Sequence, residues 1–503
     1  MINALDLPEE LEDWNQHILK KAREEGLDFF DTIFYILPYS YLTEIAAHGG
    51  FPRRYQHWSF GMEHEKLKRS YEWGMGKIYE LVINNDPCYA YLLENNNLMQ
   101  QKLVMAHVYG HCDFFKNNLY FQNTNKNMMD EMANHASRVD RYIRQFGLDE
   151  VERFLDACIS IQDHISPLSI PSKTIKPSEE METEEALLRI LKRKSNPDNP
   201  DYMDIFLNSK EYIEFKQKQL EETVKKAQSF PSKPQKDLLY FLLLHAPLKK
   251  WQEDILYIIR KERYYFVPQG YTKIINEGWA SYWHFKLMTE SFLRPEDFVD
   301  FAMDHSGTLA RHPHQLNPYL LGFTLLHDIE ERWNKGQFGK EWDQCTSRSE
   351  KLAWDRQLGL GRDKIFECRL IENDYSLIDK YLTEDFCDKH KMFKYNYDQQ
   401  TGQWVISDRS FESIKNQLLE NLANFGIPHI LVYDGNYQNR GELYLKHHHE
   451  GDLRQDYAWD TLANIAYIWQ RPVHLETLVD GKRKLYSYAS DDKKELIDLN
   501  DQD

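Results

Sequence analysis

The sequence is short of cysteine, of long apolar runs and of positive charge, and each shortage closes off a class of protein. Six cysteines (Cys88, Cys112, Cys158, Cys345, Cys368 and Cys387) are spread over 503 residues with no Cys-x-x-Cys pair. Neither a disulfide framework nor an all-cysteine zinc site is expected from such spacing. The strongest apolar run, Leu238 to Leu244, has seven residues, far below the roughly 20 that a membrane-spanning helix needs. The acidic start, Met1 to Asp13, has no signal-peptide apolar region. The expectation is a cytoplasmic protein without membrane insertion. Lys and Arg total 62 against 80 Asp and Glu, a formal net charge of −18. A surface of that sign repels phosphate backbones and anionic lipid, so no nucleic-acid partner is expected. No Walker loop, G-x-G-x-x-G or G-x-S-x-G occurs, which removes support for nucleotide-dependent and serine-hydrolase chemistry.

What the chain has in plenty is aromatic side chains: 31 Tyr, 26 Phe and 12 Trp, 14% of the total. A disordered chain is poor in such residues, so a sizeable core is expected. The patterning predicts an α+β protein, with a mainly helical N-terminal body, a small β-hairpin or sheet, and a C-terminal α+β module. Helices are predicted at about 99–116, 126–146, 149–164, 274–289 and 317–333. A hairpin is predicted from Ile78 to Asn84 and Cys88 to Glu94, joined by Asn85-Asp86-Pro87. Composition divides the chain into an N-terminal region (1–166), a linker with a charged helical insert (167–236), a second helical region (237–378) packing on the first, and the C-terminal module (379–503).

The chemistry concentrates at His107-Val108-Tyr109-Gly110-His111. On a helix, residues i and i+4 share a face, so both imidazoles can address one ion. Leu103, Val104, His107, His111 and Phe114 form one stripe, which turns both histidines inward. An inward polar pair needs partners, because unpaired buried groups cost free energy. His135 lies in a second stripe with Met128, Met132, Val139 and Tyr142, and is a candidate fourth ligand or supporting group; alone, it also reads as a hydrogen-bonded core residue. Glu277, in Asn276-Glu277-Gly278-Trp279-Ala280, sits in an otherwise apolar, aromatic helix. It either caps the helix start or serves a site. Cys112 reads as a small packed residue, and Asp113 as a group that orients a histidine or ends a polar face. Arg311-His312-Pro313-His314 reads as a structured loop, and the charges at His327, Asp328, Glu330 and Glu331 as a solvated face. His447-His448-His449 cannot all chelate one ion, because successive strand residues alternate faces.

His-x-x-x-His followed by a downstream Asn-Glu-Gly-aromatic-Ala helix resembles the gluzincin metallopeptidases. That resemblance implies zinc or another divalent metal held by His107, His111 and Glu277, with one position left for water. The sequence departs from the pattern at the base: His-Glu-x-x-His would need Glu at Val108, and the inverted His-x-x-Glu-His would need it at Gly110. A metal-dependent peptide or amide hydrolase and a non-enzymatic regulatory protein both stay open.

Longer strings carry a second resemblance. His57-Trp58-Ser59-Phe60-Gly61, Ile78-Tyr79-Glu80-Leu81-Val82-Ile83-Asn84, the run from Ala106 through Asn118, and the Asn276–Ala280 and Asn317-Pro318-Tyr319 segments are similar to the bacterial stage V sporulation protein R (SpoVR) family. That resemblance implies a cytosolic protein needed for spore cortex formation, with relatives in non-sporulating bacteria in stress or stationary-phase settings. It also implies association with a PrkA-type serine protein kinase and a von Willebrand A-like protein. The family supplies no established reaction.

Overall fold

In a computed structural model the described residues are 6–72, 80–166, 230–311, 316–398, 402–423, 427–489 and 493–499. Residues 167–229 of the predicted linker and charged helical insert, and His312 to His314, lie outside them. The chain forms two compact units, each assembled from two stretches: Met1–Arg141 with Tyr265–Gly426, and Tyr142–Tyr264 with Ile427–Asp503. Composition alone places the breaks elsewhere, because it sees linkers and not which segments return to pack together.

The first unit is mainly helical. Its helices include α1 (Glu9–Glu24), α2 (Leu98–Asn117), α3 (Lys273–Leu287), α4 (Phe298–Thr308), α5 (Pro318–Lys335), α6 (Gly361–Ile371) and α7 (Asp374–Tyr381). Strands β1 (Thr32–Leu37), β2 (Glu80–Ile83) and β3 (Cys88–Leu93) form a sheet in the order β1-β3-β2. The predicted hairpin is β2 and β3, antiparallel, with Glu80 opposite Leu92, while β1 runs parallel to β3. A separate two-stranded hairpin pairs β4 (Lys394–Asp398) with β5 (Gln403–Asp408).

Helix α2 is the axis of this unit. Asn97 and Gln100 start it with a reciprocal capping box, which satisfies two otherwise orphaned backbone donors. Every residue from Gln101 to Phe115 is buried. The predicted stripe is therefore a helix enclosed on all sides, as expected for a helix at a core's centre. Val108 itself is fully buried in the hydrophobic cluster that α1, α2, α3, α5 and α6 share. The position that would carry a base in His-Glu-x-x-His is thus a packing position.

Two glycine contacts let the neighbouring helices close in. A Cβ on Gly110 of α2 would stand 2.7 Å from the Cα of Ala280 on α3. A Cβ on Gly278 of α3 would stand 2.5 Å from the Cα of Gly322 on α5, and one on Gly322 would stand 2.7 Å from the Cα of Gly278. Ordinary carbon contacts are about 3.5–4.0 Å, so only glycine permits these approaches. A glutamate at position 110, which the inverted motif would require, has no room there.

In the second unit, β6 (His429–Tyr437), β7 (Glu442–His448), β8 (Val473–Val479), β9 (Lys482–Tyr488) and β10 (Lys494–Asp498) form a sheet in the order β10-β9-β8-β7-β6. Helix α8 (Gln455–Trp469) makes the crossover between the parallel neighbours β7 and β8, as parallel pairing demands. His447 is buried and bonded to Thr477 Oγ1 at 2.9 Å, while His448 next to it is exposed. The strand alternation sets His448 apart from His447, whose ring lies 6.0 Å from that of His449, so the three do not face one ion together.

Candidate metal centre

His107 and His111 lie one turn apart on α2, both buried, with ring centroids 4.6 Å apart and planes nearly perpendicular. Helix α3 brings Glu277 between them. Its Oε2 is 3.6 Å from His107 Nε2 and 3.4 Å from His111 Nε2. Among the described residues, these three form a group whose ligand atoms all lie within 4.8 Å of one another. Two atoms bonded tetrahedrally to zinc at about 2.0–2.1 Å stand roughly 3.3–3.4 Å apart. The two imidazole–carboxylate spacings are close to that figure.

The far side of each ring is anchored. His111 Nδ1 lies 2.9 Å from Asn276 Oδ1, and His107 Nδ1 lies 2.9 Å from His284 Nδ1. Metal-binding histidines characteristically use their second nitrogen in this way, which fixes the ring and its tautomer. On the near side, His107 Nε2 and Glu277 Oε2 are buried and lack a hydrogen-bond partner. Buried polar atoms are seldom left so, and the donor set of two imidazoles and one carboxylate fits a divalent cation.

Electrostatics agree with that chemistry. Burial by itself would raise the Glu277 carboxyl, but His111 and then His107 outweigh it and hold the group well below its ordinary range. His111 is lowered by burial, yet Glu277 more than compensates and its net shift is upward. His107 is shifted downward, by burial first and by His111 second. The groups that act most strongly on Glu277 are thus the two imidazoles themselves.

The start of α3 is capped by a residue other than Glu277. Thr272, at the cap position, makes no side-chain capping bond; its hydroxyl donates back to the Pro268 carbonyl at 2.7 Å. Instead the Asp374 carboxylate, at the start of α7, accepts from the N–H of Ile274 at 2.8 Å and of Ile275 at 2.9 Å. Asp113 does not orient a histidine. It accepts from Trp279 Nε1 and from the N–H of Asp28, both at 2.8 Å, and so ties α3 to α2. Cys112 is packed and fully buried.

His135 is not a member of the group. It is buried on the helix Met128–Phe146, with Nε2 3.5 Å from Glu131 Oε2 one turn earlier. The inward stripe that marks it is shared by core histidines, and the stripe alone could not say which partner it faces.

Four neighbours escaped the reading of the sequence. Glu80 of β2 places Oε1 4.0 Å from His107 Nε2, with 18% of its side chain exposed. Burial, with Glu277 adding to it against His111, pushes its carboxyl up to about 7. Its signal was a single carboxylate opening an apolar strand. Tyr319, just past the Asn317 cap of α5, stacks on His107 at 6.1 Å. Burial, then the charges of Glu277 and Glu80, raise its hydroxyl far above the ordinary value. His284 lies two helical turns after Glu277 on the same helix, a spacing that was available to find it. Its Nε2 lies 2.8 Å from Nδ1 of His305; His305, on α4, had no signal.

Among the described residues, no helix is long and apolar enough to cross a membrane. No solved structure matches the chain. The chain is 28% identical over 483 residues, 90% of its own length and 89% of the relative's, to a protein of Escherichia coli strain K12 named "Uncharacterized protein YcgB". The family model described as "SpoVR-like C-terminal domain" matches residues 428–480. The model described as "SpoVR like protein" matches residues 6–427, which take in the whole of the His107, His111 and Glu277 group, and the chain belongs to that family.

Proposed function

We propose that the protein binds one divalent metal ion, zinc or a similar ion, through His107, His111 and Glu277, and uses it to hydrolyse a peptide or amide bond. One observation carries this reading: two buried imidazoles, each anchored at Nδ1, turn Nε2 toward a buried carboxylate oxygen at 3.4 and 3.6 Å. When bound, such an ion acts as a Lewis acid and lowers the pKa of water. The chain's own residues supply the rest. Glu80 stands in for the base that Val108 cannot be. Its carboxylate lies beside the group rather than within it, and its upward-shifted pKa suits it to take a proton at Oε1 near neutral pH. Tyr319 remains a neutral hydroxyl, able to donate to a developing oxyanion. A zincin-like arrangement, with β2 at the edge of the site, is part of this proposal.

Elemental analysis of purified protein, followed by zinc and cobalt titration, tests the metal. Hydrolysis of a peptide library by the loaded protein tests the reaction. Glu80→Gln is expected to keep the ion and to lose about 100-fold or more in rate, the usual contribution of a general base. Loaded protein that cleaves nothing, with an intact ion, would favour the second reading. There the buried group stabilises a regulatory protein of the sporulation or stress programme that acts with a serine protein kinase and a von Willebrand A-like protein. The valine at position 108 favours it, and co-purification of those partners from cells would support it.

A further inference from the structure

Beyond His107, His111 and Glu277, the site has a built extension that runs outward from His107 Nδ1. His107 Nδ1 meets His284 Nδ1 at 2.9 Å, and His284 Nε2 meets His305 Nδ1 at 2.8 Å. His284 is 1% exposed, so it has no water to replace either partner. His305 is half-buried and wedged among Phe285, Phe301 and Phe323, with its ring stacked on Phe301 at 5.5 Å. Three imidazoles on α2, α3 and α4 thus form one hydrogen-bonded row.

A row of neutral imidazoles has a direction. Each ring has one N–H and one bare nitrogen, so choosing the proton position on one ring fixes all the others. We infer that His284 and His305 are positioning residues for the metal centre: they hold His107 in the tautomer whose bare Nε2 faces the ion. In that state His107 donates from Nδ1–H to His284 Nδ1, and His284 donates from Nε2–H to His305 Nδ1. In the opposite direction, His107 would carry its proton on Nε2 and present N–H to the Glu277 carboxylate, which closes the site to a cation. The direction of the row and occupation of the centre are therefore one equilibrium. Burial, reinforced by His327 and His107, lowers His305 to about 4, so at neutral pH it is a neutral imidazole with one bare nitrogen, as the row requires.

This inference rests on the metal reading above, and the test separates the two. Full-length wild type, His284→Phe, His284→Gln and His305→Ala are titrated with zinc in competition with a chromogenic chelator, and the visible spectrum of each cobalt-loaded form is recorded. His284→Phe fills the space but cannot accept a hydrogen bond. It is expected to weaken zinc binding 10- to 100-fold, the usual loss when a ligand's supporting partner is removed, and to alter the cobalt spectrum. His284→Gln, whose amide oxygen can accept, is expected to recover most of the affinity. His305→Ala, at the outer end, is expected to lose severalfold and provides the test if His284→Phe does not fold. A merely structural His284 would lower thermal stability without moving affinity or spectrum. Equal zinc affinity in wild type and the folded variants would overturn the inference and leave the metal centre standing. Wild type that binds no zinc or cobalt would overturn both.

Discussion

Substituting Gly278 by alanine tests the packing that brings Glu277 to the histidines. A helix-interior glycine is ordinarily a weakness, and alanine gains roughly 1 kcal/mol of helix propensity. Here the new methyl would stand 2.5 Å from the Cα of Gly322, against an ordinary carbon contact of about 3.5–4.0 Å. The obstacle is backbone and cannot swing aside as a side chain would. Helices α3 and α5 must separate by about 1 Å, or α3 must shift toward α2, where Gly110 already lies against Ala280. Overpacking of that kind costs about 1–3 kcal/mol, and a rigid obstacle puts the cost in the upper part of that range. The net expectation is a loss of about 1–2 kcal/mol, read as a lower urea midpoint at unchanged slope. A displacement of about 1 Å at Glu277, next in sequence, exceeds the roughly 0.5 Å that a metal centre tolerates, so zinc affinity should fall as well. Gly307 of α4 is the control, since it is exposed and a Cβ there meets nothing within 4 Å. Gly307→Ala should be neutral or stabilising by up to about 1 kcal/mol. If Gly278→Ala proves as stable as Gly307→Ala, with zinc affinity intact, the close approach of the helices is wrong.

Other consequences are separately measurable. His135→Ala should leave the metal content of the purified protein unchanged, since His135 lies outside the ligand group. Zinc affinity should fall as pH is lowered through the raised pKa of His111, because the ion must then displace a proton; calorimetric titration should show about a tenfold loss per pH unit below it. Asp374 is pushed up to about 7 by burial, against the pull of the Ile274 and Ile275 N–H groups, from an ordinary value of 3.8. Between those values the folded chain holds a proton that the unfolded chain lacks. The Asp374 contribution to stability therefore falls as pH rises through that window, and urea midpoints of Asp374→Asn should show a flatter slope over it.

How much of this was legible in the sequence depends on the range of the signal. His107 and His111 share a helix face by spacing alone, and their burial follows from apolar neighbours at the same period. The β2–β3 hairpin, the α5 start at Asn317-Pro318 and most strands of the C-terminal sheet carry local signals of the same kind. Glu277 was readable as a carboxylate in an apolar helix, but its distance from the histidines was not. That closeness is made by Gly110, Gly278 and Gly322, whose only signature is a missing side chain. Glu80, a lone carboxylate opening an apolar strand, and His305 reach the site from a strand and from a separate helix, and neither neighbourhood says which site the side chain faces. His135 shows the converse: the same inward stripe that found His107 placed a histidine elsewhere, because periodicity gives a face but not a partner.

The central claim rests on one ion shared between α2 and α3. Purified full-length wild type and Glu277→Ala, each supplied with zinc and then freed of loose metal by gel filtration, should be compared by elemental analysis. One zinc per chain in wild type, and little in a Glu277→Ala variant of normal helical content, is the expected result. Equal zinc in both, or none in either, would contradict a centre built from His107, His111 and Glu277.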